Sequence, residues 1–224
     1  MTATATEPLP AFPIIGSIVP DPRRPGSVRL LVQGRPLLTV SRDVVDGEKL
    51  SPGMVLTSAL YQRLCQAADL EAGYRTALRF IERRPFAARD LTRRLVLKGH
   101  PPEAAAAAVE RAREAGWIND EEFTRHYIAT RAARGRGPVR LRRDLAALGV
   151  DRALVDRIMT EVLGAGGEEG PDVAELARKR LTQLEGRKLP RPVLRRRLLA
   201  FLARRGFMGG EASAAVTSVL GPRA

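Results

Sequence analysis

The chain has 224 residues, 44% of them hydrophobic, enough to bury a core in one or two domains. Lys plus Arg outnumber Asp plus Glu by 38 to 25, a net charge of +13, which points to a polyanion or an acidic protein surface as partner. A single cysteine, Cys65, excludes an internal disulfide framework and a Cys-rich zinc site, and the lack of any run of 18 apolar residues excludes a membrane-spanning helix, so a cytoplasmic setting is expected.

Residues 1–11, rich in Thr, Ala and Pro, read as a flexible tail without the basic start of a secretion signal. Residues 12–68 change character. Ile14, Ile15, Ile18 and Val19, then Val28 to Val32, then Leu37 to Val40 are short aliphatic runs broken by Asp21-Pro22, Pro25-Gly26 and Gly34-Arg35-Pro36. They predict two or three antiparallel strands, too small a sheet to stand alone. Gly47 and Pro52-Gly53 add turns, and a helix capped by Thr57 or Ser58 and running to about Ala68 is the expected support.

From residue 70 the chain reads as helix after helix. One signature recurs three times: two leucines four residues apart, then a glycine four further on, at Leu91-Leu95-Gly99, Leu141-Leu145-Gly149 and Leu198-Leu202-Gly206. Leucines at i and i+4 share a helix face, and glycine is the usual residue where a helix ends left-handed. Each copy is therefore a helix with its stop, and the recurrence predicts tandem helical units. The first, residues 69–118, has a helix through Tyr74, Leu78 and Ile81, the Leu91 helix, and a third from Pro101-Pro102-Glu103 to Gly116. The second, residues 119–165, opens with Asp120 as the expected N-cap, breaks at Gly135-Arg136-Gly137, restarts at Pro138, and caps its last helix with Asp151. After a Gly-rich connector from Gly164 to Gly170 comes the third, residues 166–224, with helices through Leu176–Leu184, Leu194–Leu202 and Glu211–Leu220. The predicted fold is mainly α: three tandem three-helix repeats in an elongated array, with a small N-terminal β-rich module.

The chain offers little on which to build catalysis. His100 and His126 stand apart from any cysteine or carboxylate pattern, and no phosphate-binding glycine loop or metal-binding spacing occurs. No catalytic residue, cofactor or metal is expected. The charge pattern says more. Arg140 and Arg143 fall opposite the leucine stripe of the second unit's middle helix, with Arg142 at its margin, and Arg196, Arg197 and Arg204 opposite that of the third. Arg178, Lys179, Arg180, Arg187, Lys188, Arg191, Arg195 and Arg205 add to the third unit. A face with so few acids suits phosphate or carboxylate contact. Aromatics, at 4% and not interleaved with the arginines, argue against a base-stacking platform. The binding candidates are therefore Arg140, Arg142, Arg143, Arg178, Lys179, Arg195, Arg196, Arg197, Arg204 and Arg205.

The residues Phe80-Ile-Glu-Arg-Arg-Pro85 before Leu91 and Leu95, Gly116-Trp-Ile-Asn-Asp-Glu-Glu-Phe123 with Tyr127 and Arg131, Gly137-Pro-Val-Arg-Leu141 to Gly149-Val150, and Leu198 to Gly206-Phe207 resemble the RecX family of regulatory proteins, over roughly residues 72 to 220. The resemblance implies three tandem three-helix repeats without enzymatic activity, binding the RecA filament and lowering its ATPase and strand exchange in repair, recombination and the SOS response. It implies DNA contact as well, with single-stranded DNA inside the filament the expected form, and a monomer suffices. Phe86-Ala87-Ala88 stands where the family usually has a small polar residue, which weakens the expected cap of the Leu91 helix. The alternative is a direct DNA-binding protein or transcription regulator built from helix-turn-helix-like units.

Overall fold

The computed structural model describes residues 13–164, 171–186 and 189–221. The tail at 1–11, most of the Gly-rich connector, and Arg187 and Lys188 lie outside the described residues. The chain forms two compact units: one takes the chain through Arg84 together with Leu91–Trp117, the other Pro85–Asp90 together with the chain from Ile118.

The first unit begins with an antiparallel sheet in the order β1-β2-β3, formed by β1 (Ser17–Pro20), β2 (Ser27–Val32) and β3 (Arg35–Ser41). Asp21, buried in the β1–β2 loop, accepts hydrogen bonds from Arg29 Nη2 at 2.8 Å and from the Arg23 N–H at 3.0 Å, and chiefly the first, then the second, hold its carboxyl below the usual range. A short helix, α1 (Arg42–Gly47), capped by the Ser41 hydroxyl, follows where the sequence suggested only turns. The sheet's inner residues Val28, Leu30, Val32 and Val40 close on Leu56, Leu60 and Leu64, so the sheet does lean on the helix after Thr57, whose hydroxyl caps it.

That helix, α2 (Ser58–Ile81), is 24 residues long and continuous, where the sequence suggested two helices meeting near residue 69. Gly73 sits in its interior for packing: a Cβ there would lie 3.3 Å from that of Ala108, so glycine lets α2 approach α4 (Pro102–Glu114) closely. Next in the chain after α2 comes α3 (Ala88–Leu97), with Leu91 and Leu95 fully buried; its first turn belongs to the second unit and the rest to the first.

The second unit contains two three-helix groups, α5 (Asp120–Ala132), α6 (Pro138–Ala147) and α7 (Arg152–Leu163), then α8 (Val173–Glu185), α9 (Arg191–Arg205) and α10 (Gly209–Leu220). Leu141 and Leu145 pack with Ile128, Val155 and Ile158 in one core, and Leu198 and Leu202 with Ala177, Phe207 and Val216 in the other. Burying each leucine contributes about 1.5–3 kcal/mol. All three signature glycines are left-handed, at φ +93, +80 and +95 for Gly99, Gly149 and Gly206. In each copy the next residue donates its N–H to the carbonyl of the second leucine, at 3.2, 3.1 and 3.0 Å, which terminates the helix as a Schellman motif.

Two caps depart from the expectation. Asn119, not Asp120, caps α5, accepting from the N–H groups of Glu121 and Glu122 at 3.0 and 3.1 Å. Asp120 instead accepts from the Ala88 N–H at 2.8 Å, supplying α3 with the polar partner that Phe86-Ala87-Ala88 lacks.

Candidate nucleic-acid interface

The candidate basic residues divide by what their guanidinium groups already hold. On α6, Arg140 pairs with Asp144 at 3.0 Å, Arg136 pairs with the same carboxylate, and Arg142 pairs with Asp156 of α7 at 2.7 Å, holding the Asp156 carboxyl below its ordinary range. Only Arg143 on this helix is exposed and without an ion pair among the described residues. The rest of this group interleaves its signs in the same way. Arg157 and Arg125 reach Glu121 at 2.7 and 3.0 Å, and Arg125 also reaches Glu161 at 2.8 Å. Chiefly through Arg157, and then Arg125, the Glu121 carboxyl is held down at about 2. The basic face read on α6 is thus largely compensated.

The last group is different. The α9 segment carries Arg191, Arg195, Arg196, Arg197, Arg204 and Arg205 and no acidic residue. Arg195, Arg196, Arg197 and Arg204, with Arg178 on α8, are exposed and make no ion pair among the described residues, while Lys179 is drawn to Glu175 at 2.7 Å. Arg196, Ala200 and Arg204 stand at i, i+4 and i+8, one row on the helix surface. Arg197 and Arg204 stand two turns, about 10 Å, apart. Ala200, exposed between them, lets a flat ligand approach the backbone.

Arg205 does not join that face. It is half-buried, its Nη1 donates to the carbonyls of Arg134 and Gly135 at 3.2 and 3.3 Å, and its guanidinium stacks 4.8 Å from the Phe201 ring centre, with Arg180 at 5.6 Å from the same ring. The Gly137 N–H also donates to the Arg205 carbonyl at 2.7 Å, and the Val139 N–H to that of Gly206 at 3.3 Å. The end of α9 therefore satisfies the start of α6, which has no side-chain cap of its own. Arg191 is occupied likewise, closing α10 through the carbonyls of Leu220, at 2.7 Å, and Gly221. His100 and His126 each face a threonine hydroxyl, at 3.0 and 3.4 Å. What remains is a row of fixed positive charges. Guanidinium groups in this arrangement can bind phosphate or carboxylate oxygens in pairs of hydrogen bonds but supply no nucleophile or general base.

A model of the first three-helix domain of RecX matches residues 74–111, and one of the second matches residues 119–159. The chain is 34% identical over 139 residues to the regulatory protein RecX of Xanthomonas axonopodis pv. citri, a match covering 62% of this chain and 82% of that protein. It is 37% identical over 134 residues to the regulatory protein RecX of Stenotrophomonas maltophilia, covering 59% and 78%. The chain belongs to the RecX family of regulatory proteins. Its fold is also similar to a crystal structure of regulatory protein RecX, with a TM-score of 0.70 at 20% identity over 92% of this chain and 98% of that one. A RecX structure from Lactobacillus salivarius aligns with a TM-score of 0.56 at 16% identity over 67% and 96%. The first RecX domain begins inside α2, which explains the length of that helix: its first half supports the sheet and its second half opens the repeat. Both RecX domain models leave the sheet and the α8–α10 group, with its uncompensated arginines, outside their match.

Proposed function

We propose that this chain is a non-catalytic regulator that binds the filament of a RecA-type recombinase on DNA and lowers its ATPase and strand-exchange activity. Membership in a family of regulatory proteins supports the regulatory role. The observation that carries the DNA contact is the outer row of α9, where Arg196, Arg197 and Arg204 are exposed and make no ion pair among the described residues. In this reading the row lies against the phosphates of the DNA held in the filament, with Arg143, Arg178 and Arg195 adding to it. Free of DNA the protein is a monomer in the cytoplasm, and it acts within repair, recombination and the SOS response. Contact with both DNA and recombinase restrains the subunit movement that ATP turnover requires, or blocks reassembly. Binding that neutralises about three phosphates of single-stranded DNA loses affinity with salt at a log–log slope of about −2 from this contact. The test adds the protein to recombinase filaments on single-stranded DNA and follows ATP hydrolysis and filament length. Hydrolysis that falls at or below stoichiometric protein supports the reading, and unchanged hydrolysis overturns it. Sequence-selective duplex binding that survives raised salt would instead identify a transcription regulator.

A further inference from the structure

Twice in the second unit, the same kind of helix end receives the start of another helix. The carbonyls of Arg205 and Gly206 at the end of α9 take the N–H groups of Gly137 and Val139, and a Cβ on Gly206 would strike Arg140 and lie 2.9 Å from the Gly137 oxygen. At the end of α6, a Cβ on Gly149 would lie 2.6 Å from that of Arg89, in the first turn of α3. The third helix end of this kind, at the end of α3, is built alike. Gly99 is left-handed at φ +93, its N–H returns to Val96 at 2.9 Å, and that of His100 returns to Leu95 at 3.2 Å. Yet, its chain neighbours aside, none of the described residues lies within 4 Å of the Cβ position on Gly99. The residues beside it are apolar and open, Val96 at 39% and Leu97 at 80% exposure, where the other two copies carry Ala146-Ala147 and Ala203-Arg204.

We infer that this end receives the first turn of α10 from a second copy of the chain. The start of α10 is the matching half. Its N-cap, Met208, gives no side-chain cap, as Gly137 gives none to α6, and the space around Gly209 and Gly210 is open. Met208 is 55% exposed, and Val139, 45% exposed, is joined through its N–H to Gly206 two residues before it. Leu97 and Val96 of one copy then cover Met208 and Val139 of the next, the carbonyl end of α3 meets the N–H end of α10, and exposed Lys98 meets exposed Glu211. The other starts without a side-chain cap are unsuited, since α4 and α9 open on Pro101-Pro102 and Pro190-Arg191-Pro192, whose prolines have no N–H to offer. Each copy carries both halves of this heterologous contact. With +13 on every copy, free molecules repel, and the contact forms when a polyanion offsets that charge. The inference rests on the proposed function only for the nature of that polyanion.

The test uses the full chain with Cys65→Ser, one batch carrying Leu97→Cys and another Met208→Cys, both at exposed positions. The batches are mixed on poly(dT) under mild oxidation, with Ala146→Cys plus Met208→Cys as the control for crowding on the strand. Disulfide dimers of the 97/208 mixture are expected to form about tenfold faster than those of the 146/208 mixture, from the higher effective concentration at a true contact. Lys98→Glu in one partner should abolish this excess, and Glu211→Lys in the other should restore it. Equal rates in the two mixtures overturn the inference. If the wild type slows ATP hydrolysis yet no 97/208 excess appears, the self-contact alone fails. If the excess appears without slowed hydrolysis, the proposed function alone fails.

Discussion

Replacing each signature glycine by alanine separates backbone strain from helix docking. Gly99, Gly149 and Gly206 have closely similar left-handed backbones, φ +93, +80 and +95, so alanine should cost each about 1–2 kcal/mol in conformational strain. Gly99 has open space for the new methyl, and its variant should lose only that amount. At Gly206 the methyl meets the Arg140 backbone, and the chain must retreat. Retreat breaks the hydrogen bonds from Gly137 to Arg205 and from Val139 to Gly206, each worth about 0.5–1.5 kcal/mol. The Gly206→Ala loss should therefore be about 2–5 kcal/mol, combining strain and docking. Gly149→Ala should fall between the two, because the atoms it meets are the Cβ and flexible stem of Arg89. Urea denaturation followed by circular dichroism measures all three. Equal losses would refute the idea that these glycines join helix ends as well as stop helices.

Further outcomes are expected. Arg196→Glu, Arg197→Glu and Arg204→Glu together should leave helicity unchanged and remove about 2 from the log–log salt slope of single-stranded DNA binding, measured by fluorescence anisotropy; an unchanged slope would move the contact elsewhere. Asp120→Ala should destabilise the fold by about 1 kcal/mol or more in thermal melts, because it uncaps α3, whereas an exposed first-turn acid without that bond would cost almost nothing. Glu121 is held at about 2 against an ordinary 4.5, so its stabilising pairs with Arg157 and Arg125 are fully formed above pH 4.5 and are lost as pH falls towards 2. The melting temperature of the wild type should therefore fall more steeply over that window than that of Glu121→Gln, and parallel curves would contradict the pairing.

The repeat was legible because its determinants are local. Leucines at i and i+4 with a glycine stop, prolines opening α4 and α6, and Thr57 and Asp151 as caps all act within one turn of themselves. The continuity of α2 was hidden because its first half packs against the sheet and its second half against Ala108, far along the chain, so one helix serves two cores. Asn119 and Asp120 are equally good caps by composition. Only the folded chain shows that Asp120 is needed by Ala88, 32 residues earlier. The basic faces were legible as charge and not as availability. Nothing near Arg142 in sequence announces Asp156, and nothing near Arg205 announces the carbonyl of Arg134, 71 residues away. The outer row of α9 remained because its own helix and the first turns of its neighbours hold few acids to oppose it.

The central claim is tested most directly by ATP hydrolysis of a RecA recombinase on single-stranded DNA, titrated with the wild type and with the Arg196→Glu, Arg197→Glu, Arg204→Glu variant. Wild type should lower hydrolysis at or below one molecule per recombinase subunit, and the variant should need several times more protein for the same effect. Hydrolysis untouched by the wild type, or lowered equally by both proteins, would contradict a regulator that grips the filament through α9.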